Sequence, residues 1–360
     1  MENRKVTLKD IAQKSGYSLV TVHRVINHKD GVSKEAQKKI LELAGEMGYT
    51  ANYVASALKR KQVNIAVLLP EEEKNSKYYF HYIWKGCEEA AKEVEGYNIY
   101  TIRRTFSIKG REGGKRQAEA LRELYEEWGE QLDGLLTTPT SDSVQIQCFL
   151  SLFAGKGVAV VLIDNDFKDC GRLCCVSPND VYTGRLAAEL LGLVLKGKKG
   201  TVLVAQGDKH SMSHEMNEEG FRKYLEGMEP DLRLQYVEDT GDFFLKERKQ
   251  MLNLFRDDRS IIAAYAIRAR NTLPMCEAFL ESGRDDVFLV GSDLFPGSAR
   301  MLNEGVLKAI VYKNPYQKGY MGYWTLFEYL IKNKTPEKDA ISVGISIILQ
   351  NNIRFFEDFI

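Results

Sequence analysis

The chain has 360 residues, 50 Lys and Arg against 50 Asp and Glu, and a hydrophobic fraction of 44%. That is ample for buried cores in two or three domains. No apolar run reaches the roughly 18 residues of a membrane span and no signal peptide is expected, so a cytoplasmic protein with no membrane contact is expected. The six cysteines form no C-x-x-C pair and have no histidines at zinc spacing. They read as small apolar residues kept reduced, and no metal or cofactor is expected.

The balanced charge hides an asymmetry. Residues 1–60 hold eleven Lys and Arg against six Asp and Glu, a basic head on a slightly acidic body, which suggests a local polyanion contact. Within it, 6–27 (VTLKDIAQKSGYSLVTVHRVIN) predicts two short helices. Thr7 with Asp10 is a capping-box-like start, and Leu8, Ile11 and Ala12 share one face. Gly16 ends the first helix, Ser18 caps the second with Thr21 at its third position, and Val22, Val25 and Ile26 form its inner stripe. Tyr17, Ser18, Leu19, Val20, Thr21, His23 and Arg24 are left on or near the outer face. This is the helix-turn-helix pattern, whose second helix enters the DNA major groove. A third helix starts at Ser33, with Ile40, Leu41, Leu43, Ala44 and Met47 as core contacts and Gly48 at its end.

TLKDIA, the S-x-x-TV-x-RV-x-N run, Val32-Ser33, Gly48-Tyr49 and the N-x-x-A-x-x-L of Asn52 to Leu58 together resemble the head and hinge of the lactose-repressor (LacI) family. The resemblance implies that Leu19 and Val20 are the base-reading pair. Both are apolar here, so they would read thymine methyls or shape. Arg24 stands at the family's arginine position, for a guanine or a phosphate. Thr7, Ser18, Thr21, Asn27 and Ser33 are candidate phosphate contacts. His23 replaces the usual serine, and Tyr17 is placed on the DNA backbone or against the third helix. The stretch 52–59 resembles the family's hinge helix, with Leu58 as the minor-groove wedge, Ala55 as the small residue where two helices meet and Asn52 at its start. Ala51 stands where proline is frequent.

From Val63 short apolar runs alternate with amphipathic stretches. Strands are predicted at 63–70, 97–104, 132–139 and 157–164, and again at 200–207, 234–239, 261–267 and 286–293; helices at 83–94, 115–128, 180–195, 214–228, 243–256 and 273–283. Such alternation predicts parallel sheets covered by helices, here in two lobes. The fold class expected is therefore α plus α/β: a three-helix head and hinge helix, then a core that resembles the two-lobed type I periplasmic-binding-protein fold. Expected boundaries are 1–50 for the head, 51–62 for the hinge, 63–177 plus about 312–343 for the N-lobe, and 178–311 plus about 344–360 for the C-lobe.

The same resemblance places ligand residues in the inter-lobe cleft. Tyr79 and Phe80 would stack on a sugar face, Thr138 would make a polar contact, and Asp164 and Asp293 would accept hydroxyl donors. Three positions depart from the pattern: Asn217 replaces an arginine, Arg268 with Asn271 stands where Asn or Asp is usual, and Lys313 replaces glutamine. The altered charge suits a sugar acid such as a uronate; alternatively Arg268 and Lys313 form structural ion pairs. His210, Ser211, Ser213 and His214 read as a polar loop, and no catalytic constellation is expected.

The expected function is a ligand-responsive transcriptional repressor of carbohydrate genes, a homodimer on a pseudopalindromic operator in double-stranded DNA, with a sugar or sugar acid as effector. The alternatives are a DNA-binding regulator whose core answers to another ligand or to a protein, and a solute-binding or sugar-processing protein with an incidental N-terminal extension.

Overall fold

The computed structural model describes residues 6–26, 30–49, 61–72, 78–229, 231–238 and 245–356. The expectations for Asn27, Asn52, Ala55 and Leu58, and with them the hinge helix, lie outside the described residues.

Three helices make the head: α1 (Leu8–Ser15), α2 (Leu19–Ile26) and α3 (Lys34–Glu46). Thr7 and Asp10 form a reciprocal capping box. The Thr7 N–H donates to Asp10 Oδ2 at 2.7 Å, and Thr7 Oγ1 accepts the Asp10 N–H at 3.4 Å. Gly16 closes α1 at φ 77°, a left-handed conformation that costs glycine little. Ser18 Oγ then accepts the Thr21 N–H at 3.1 Å and opens α2. Ile11, Val22, Val25, Ile40 and Ala44 interlock as the core. Leu41, expected in that core, is instead 45% exposed. Ile40 and Ala44, one turn apart, already fill the inner face, and Leu41 lies about 100° around the helix from Ile40.

Beyond residue 61 come α4 (Phe80–Glu93), α5 (Gly113–Trp128), α6 (Val144–Gly155), α7 (Asp180–Val194), α8 (Met212–Met228), α9 (Leu245–Asp257), α10 (Ala269–Ser282), α11 (Pro296–Asn303) and α12 (Pro315–Lys332). The strands between them are β1 (Val63–Pro70), β2 (Ile99–Phe106), β3 (Gly134–Thr137), β4 (Ala159–Ile163), β5 (Cys174–Ser177), β6 (Gly200–Ala205), β7 (Leu232–Val237), β8 (Ile261–Ala266), β9 (Phe288–Ser292), β10 (Leu307–Tyr312), β11 (Ala340–Ser342) and β12 (Ser346–Ile348). They form two six-stranded sheets, in the orders β11-β5-β4-β3-β1-β2 and β12-β10-β9-β8-β6-β7. All neighbours are parallel except β12 against β10.

Helices cover both faces of each sheet, which is why β1 is buried at every residue and is apolar apart from Asn64, whose Nδ2 donates to the Gln131 carbonyl. The edge strand β2 alternates instead. The helix pair α4/α12 packs on the first sheet and α7/α8 on the second, each through glycine. A Cβ on Gly86 would lie 2.1 Å from the Tyr316 carbonyl oxygen, and one on Gly184 would lie 1.9 Å from that of Asn217. The chain crosses between sheets after β5, after β10 and after β11. Strand order reverses at β1 and at β6, so the carboxyl ends of both sheets open into a shared crevice.

Candidate functional site

Two surfaces stand out. The first is the start of α2. With Val22 and Val25 buried behind them, Leu19 is 42% and Val20 68% exposed, an apolar pair held at the tip of a capped helix. His23 and Arg24 are exposed one turn on, with the Arg24 guanidinium lying over Gly31. Tyr17 packs into the head core and lies under Lys39, whose Nζ is 5.6 Å from the ring centroid. The hydroxyls of Thr7, Ser18 and Ser33 are helix caps, and Thr21 Oγ1 pairs with Ser18 Oγ at 2.8 Å. These helix starts leave backbone N–H groups facing outward, the donors that a phosphate takes.

The second surface is the inter-lobe cleft, about 690 Å³, of the size that takes a small ligand. Tyr79, Phe80, Thr138, Asp164, Asn217, Arg268, Asp293 and Lys313 all line it. Asn271 does not; it is buried, and its Nδ2 donates to the Gln206 carbonyl at 2.7 Å, fastening α10 to the end of β6.

The two carboxylates occupy matching places. Asp164 follows β4 and Asp293 follows β9, both left-handed at φ 64° and 59°. Each N–H donates to the next strand, to Val176 at 3.1 Å and to Val311 at 2.9 Å. Aspartate tolerates this conformation better than most residues, yet it costs about 1 kcal/mol or more, so the turns aim these side chains under constraint. Each is paired with a lysine. Lys318 Nζ lies 2.6 Å from Asp164 Oδ1, and the Tyr79 hydroxyl donates to Asp164 Oδ2 at 2.7 Å. Lys313 Nζ lies 3.0 Å from Asp293 Oδ2, and the Lys313 N–H donates to Oδ1 at 3.1 Å. Both ammonium groups lie near the Tyr79 ring, Lys313 Nζ 5.5 Å and Lys318 Nζ 5.0 Å from its centroid. Of the two alternatives for Lys313, the structure has the ion pair.

The charges set each other's protonation. Burial, then Asp164 and Asp293, hold the Tyr79 hydroxyl well above its ordinary range, so it stays a donor. Burial pulls Lys313 down, but the Asp293 carboxylate together with Tyr265 and Asp180 more than offsets it and the ammonium persists. Burial, then Arg268 and Lys313, push His214 well below its usual value. Its Nδ1 accepts the Asp208 N–H at 3.0 Å, so the neutral ring carries its proton on Nε2. Asp180, at the start of α7, is pushed up to about 7 by burial and by Asp164 and Asp293, with Lys318 and Lys313 working against the rise.

The lobes also grip each other beside the cleft. Tyr78 stacks on Phe295 with centroids 4.6 Å apart, and Asn165 Oδ1 accepts the Ser213 N–H at 2.8 Å. Met212 packs against the N-lobe core. Sequence reasoning missed Lys318, Asp180 and Asn165. Lys318 lies in the NPYQKGY run, and its place on the same face as the buried Gly322 was the available signal. Nothing local marks Asp180, a polar residue in an ordinary helix start.

Comparison with known proteins follows the same division. Residues 7–52 match the model of bacterial regulatory proteins of the lacI family, and residues 65–334 match that of the periplasmic binding protein domain. The chain is similar to the HTH-type transcriptional regulator RegA of Clostridium saccharobutylicum, 29% identical over 60% of this chain and 62% of that one. It is 24% identical to the ribose operon repressor of Lactococcus lactis over 97% of this chain and 98% of the relative. The core shares the fold of GanP, a glucose-galactose binding protein from Geobacillus stearothermophilus, with TM-score 0.69, 22% identity, 81% of this chain and 99% of that one covered.

Proposed function

From the premise that the chain belongs to the lacI family, as a DNA-binding transcriptional regulator with a periplasmic-binding-protein domain behind its helix-turn-helix head, we propose that it represses carbohydrate uptake or catabolism genes under control of a sugar-class effector. It binds a pseudopalindromic operator as a homodimer, one head per half-site, inside the bacterial cytoplasm on the nucleoid.

In the head, Leu19 and Val20 press on base edges in the major groove and read methyl groups and shape. Arg24 reads a guanine or grips a phosphate. Thr7, Tyr17, Ser18, Thr21, His23, Asn27 and Ser33 hold the backbone. Asn52, Ala55 and Leu58 belong to the hinge and the wedge. In the cleft, Tyr79 and Phe80 offer ring faces, and Thr138, Asp164, Asn217, Arg268, Asp293 and Lys313 offer polar contacts. Asn271 supports the wall from behind.

The observation that carries this reading is the pair of constrained carboxylates at matching strand ends, facing each other across a cleft lined by tyrosine and phenylalanine. Paired carboxylates and ring faces suit a polyhydroxylated ligand, whose hydroxyls donate and whose C–H faces stack. Relatives named for ribose and for glucose and galactose support the class. Effector binding alters lobe closure and so the separation of the two heads, a coupling between sites that works in both directions.

The test is a thermal-shift screen of sugars and sugar acids on the full chain, followed by operator titration with and without each hit. A compound that raises the melting temperature and changes operator affinity supports the reading. A set of binders that all leave operator affinity unchanged overturns it.

A further inference from the structure

The carboxylates facing the cleft floor are not equivalent. Asp164 has each oxygen served, one by Lys318 Nζ and the other by the Tyr79 hydroxyl. Asp293 Oδ1 accepts the Lys313 N–H, while its Oδ2 accepts no hydrogen bond among the described residues and is held by charge alone, 3.0 Å from the Lys313 ammonium. Asp180 is different. It is only 7% exposed and lines the cleft, yet no group among the described residues donates a hydrogen bond to its side chain. Its helix is capped by Asn179, whose Oδ1 accepts the Tyr182 N–H at 3.3 Å, so Asp180 is not needed as the cap.

Four charged groups act on it: Lys318 on α12, Asp164 after β4, Lys313 after β10 and Asp293 after β9. The Tyr79 hydroxyl feels it as well. Both lysines are committed to their own aspartates. Counted by themselves these three carboxylates and two ammonium groups are one positive charge short of neutral when Asp180 is ionised; Arg268 and Arg270 also line the cleft, but neither is among the groups that act most on Asp180. Without a partner Asp180 relieves this by holding a proton near neutral pH. A hydroxyl donor would leave the surplus charge buried when the cleft closes. An ammonium would remove it and satisfy the orphan acceptor in the same contact.

We propose that Asp180 is the specificity-determining residue of the cleft and that it receives the amino group of the effector, which is an amino sugar. This deepens the sugar-effector reading and rests on it. Asp164, Asp293 and the aromatic residues hold the hydroxyls and ring faces common to all sugars, and Asp180 selects among them by charge.

Isothermal titration of the full chain at pH 7 tests this with matched pairs that differ in one substituent: D-glucosamine with D-glucose, D-galactosamine with D-galactose, D-mannosamine with D-mannose. At least one amino sugar is expected to bind about tenfold or more tighter than its parent, the size of one buried charge-assisted contact. In Asp180→Asn the same pair should fall to within about threefold, because the isosteric amide keeps the shape and loses the charge. Parent sugars binding as well as amino sugars, or a preference that survives Asp180→Asn, overturns the inference while the sugar-effector reading stands. The wild-type comparison decides on its own if the variant folds poorly. If no sugar of either kind binds, nor any in the wider screen, the sugar-effector reading fails and this inference with it.

Discussion

The two lobes are built to one plan and finished differently. Each has a six-stranded sheet, a helix pair crossing through glycine, and an aspartate in a left-handed turn joined to a lysine. In the C-lobe the lysine follows the neighbouring strand, twenty residues from its aspartate, and the pair is almost wholly buried. In the N-lobe the lysine comes from α12, 154 residues from Asp164, and Tyr79 shares the carboxylate. The lobes also face the cleft with different chemistry. The N-lobe contributes Tyr78, Tyr79 and Phe80; the C-lobe contributes Arg268, Arg270, His214 and Asn217. A repeated scaffold fixes where side chains point, and the divergence of those side chains sets what the cleft accepts.

The sharpest break of that comparison is at the lysines. Lys313→Met leaves Asp293, fully buried, with only a backbone donor, and should destabilise the chain by about 3–5 kcal/mol in urea unfolding. Lys318→Met should cost less, about 2–3 kcal/mol, because Asp164 keeps the Tyr79 hydroxyl and is 10% exposed to the cleft. Equal losses would mean that the two pairs are interchangeable.

The glycine crossings test the common plan. Gly86→Ala and Gly184→Ala each force a methyl onto a carbonyl oxygen and should each cost about 2–3 kcal/mol. A loss in one lobe alone would show that the helix pairs are not equivalent.

Asp180 gives a pH-resolved difference. Its carboxyl sits at about 7 when folded, against an ordinary value of 3.8, so the folded chain holds a proton that the unfolded chain releases between those values. Its contribution to stability is therefore unaffected below about pH 4 and is progressively lost as pH rises toward 7. Asp180→Asn should be more stable than wild type by on the order of 2 kcal/mol at pH 8 and little different at pH 4. A gain that does not depend on pH would point to packing instead.

The smallest effect belongs to the head. Ser18→Ala removes the acceptor for the Thr21 N–H and should cost about 1 kcal/mol of head stability, read by amide exchange in α2, with the lobes unchanged.

Much of this architecture was legible in the sequence. The central strands stand out because strands covered on both faces are mostly apolar, as β1 is apart from Asn64, whereas no strand is predicted at β5, β10 or β11. The capping box at Thr7 and the exposed pair Leu19 and Val20 follow from local spacing alone. Local spacing fails where three dimensions decide. Leu41 obeys the helical period as well as its neighbours do, and only the width of the core excludes it. Lys318 acquires its meaning from Asp164, and Asp180 from groups on four other elements, so no window of sequence displays either relation. The family resemblance puts Asn271 near the cleft, but the first turn of α10 points it at Gln206 instead.

The most direct test joins the two ends of the molecule. Duplexes selected by the full chain from random sequence are titrated by fluorescence anisotropy, with and without a sugar-class compound already shown to bind the lobes. Selection should yield a two-fold symmetric site whose affinity falls steeply with salt, and the compound should change that affinity about 5- to 150-fold. Selection of no duplex at low ionic strength, or an affinity indifferent to a saturating cleft ligand, would contradict the account.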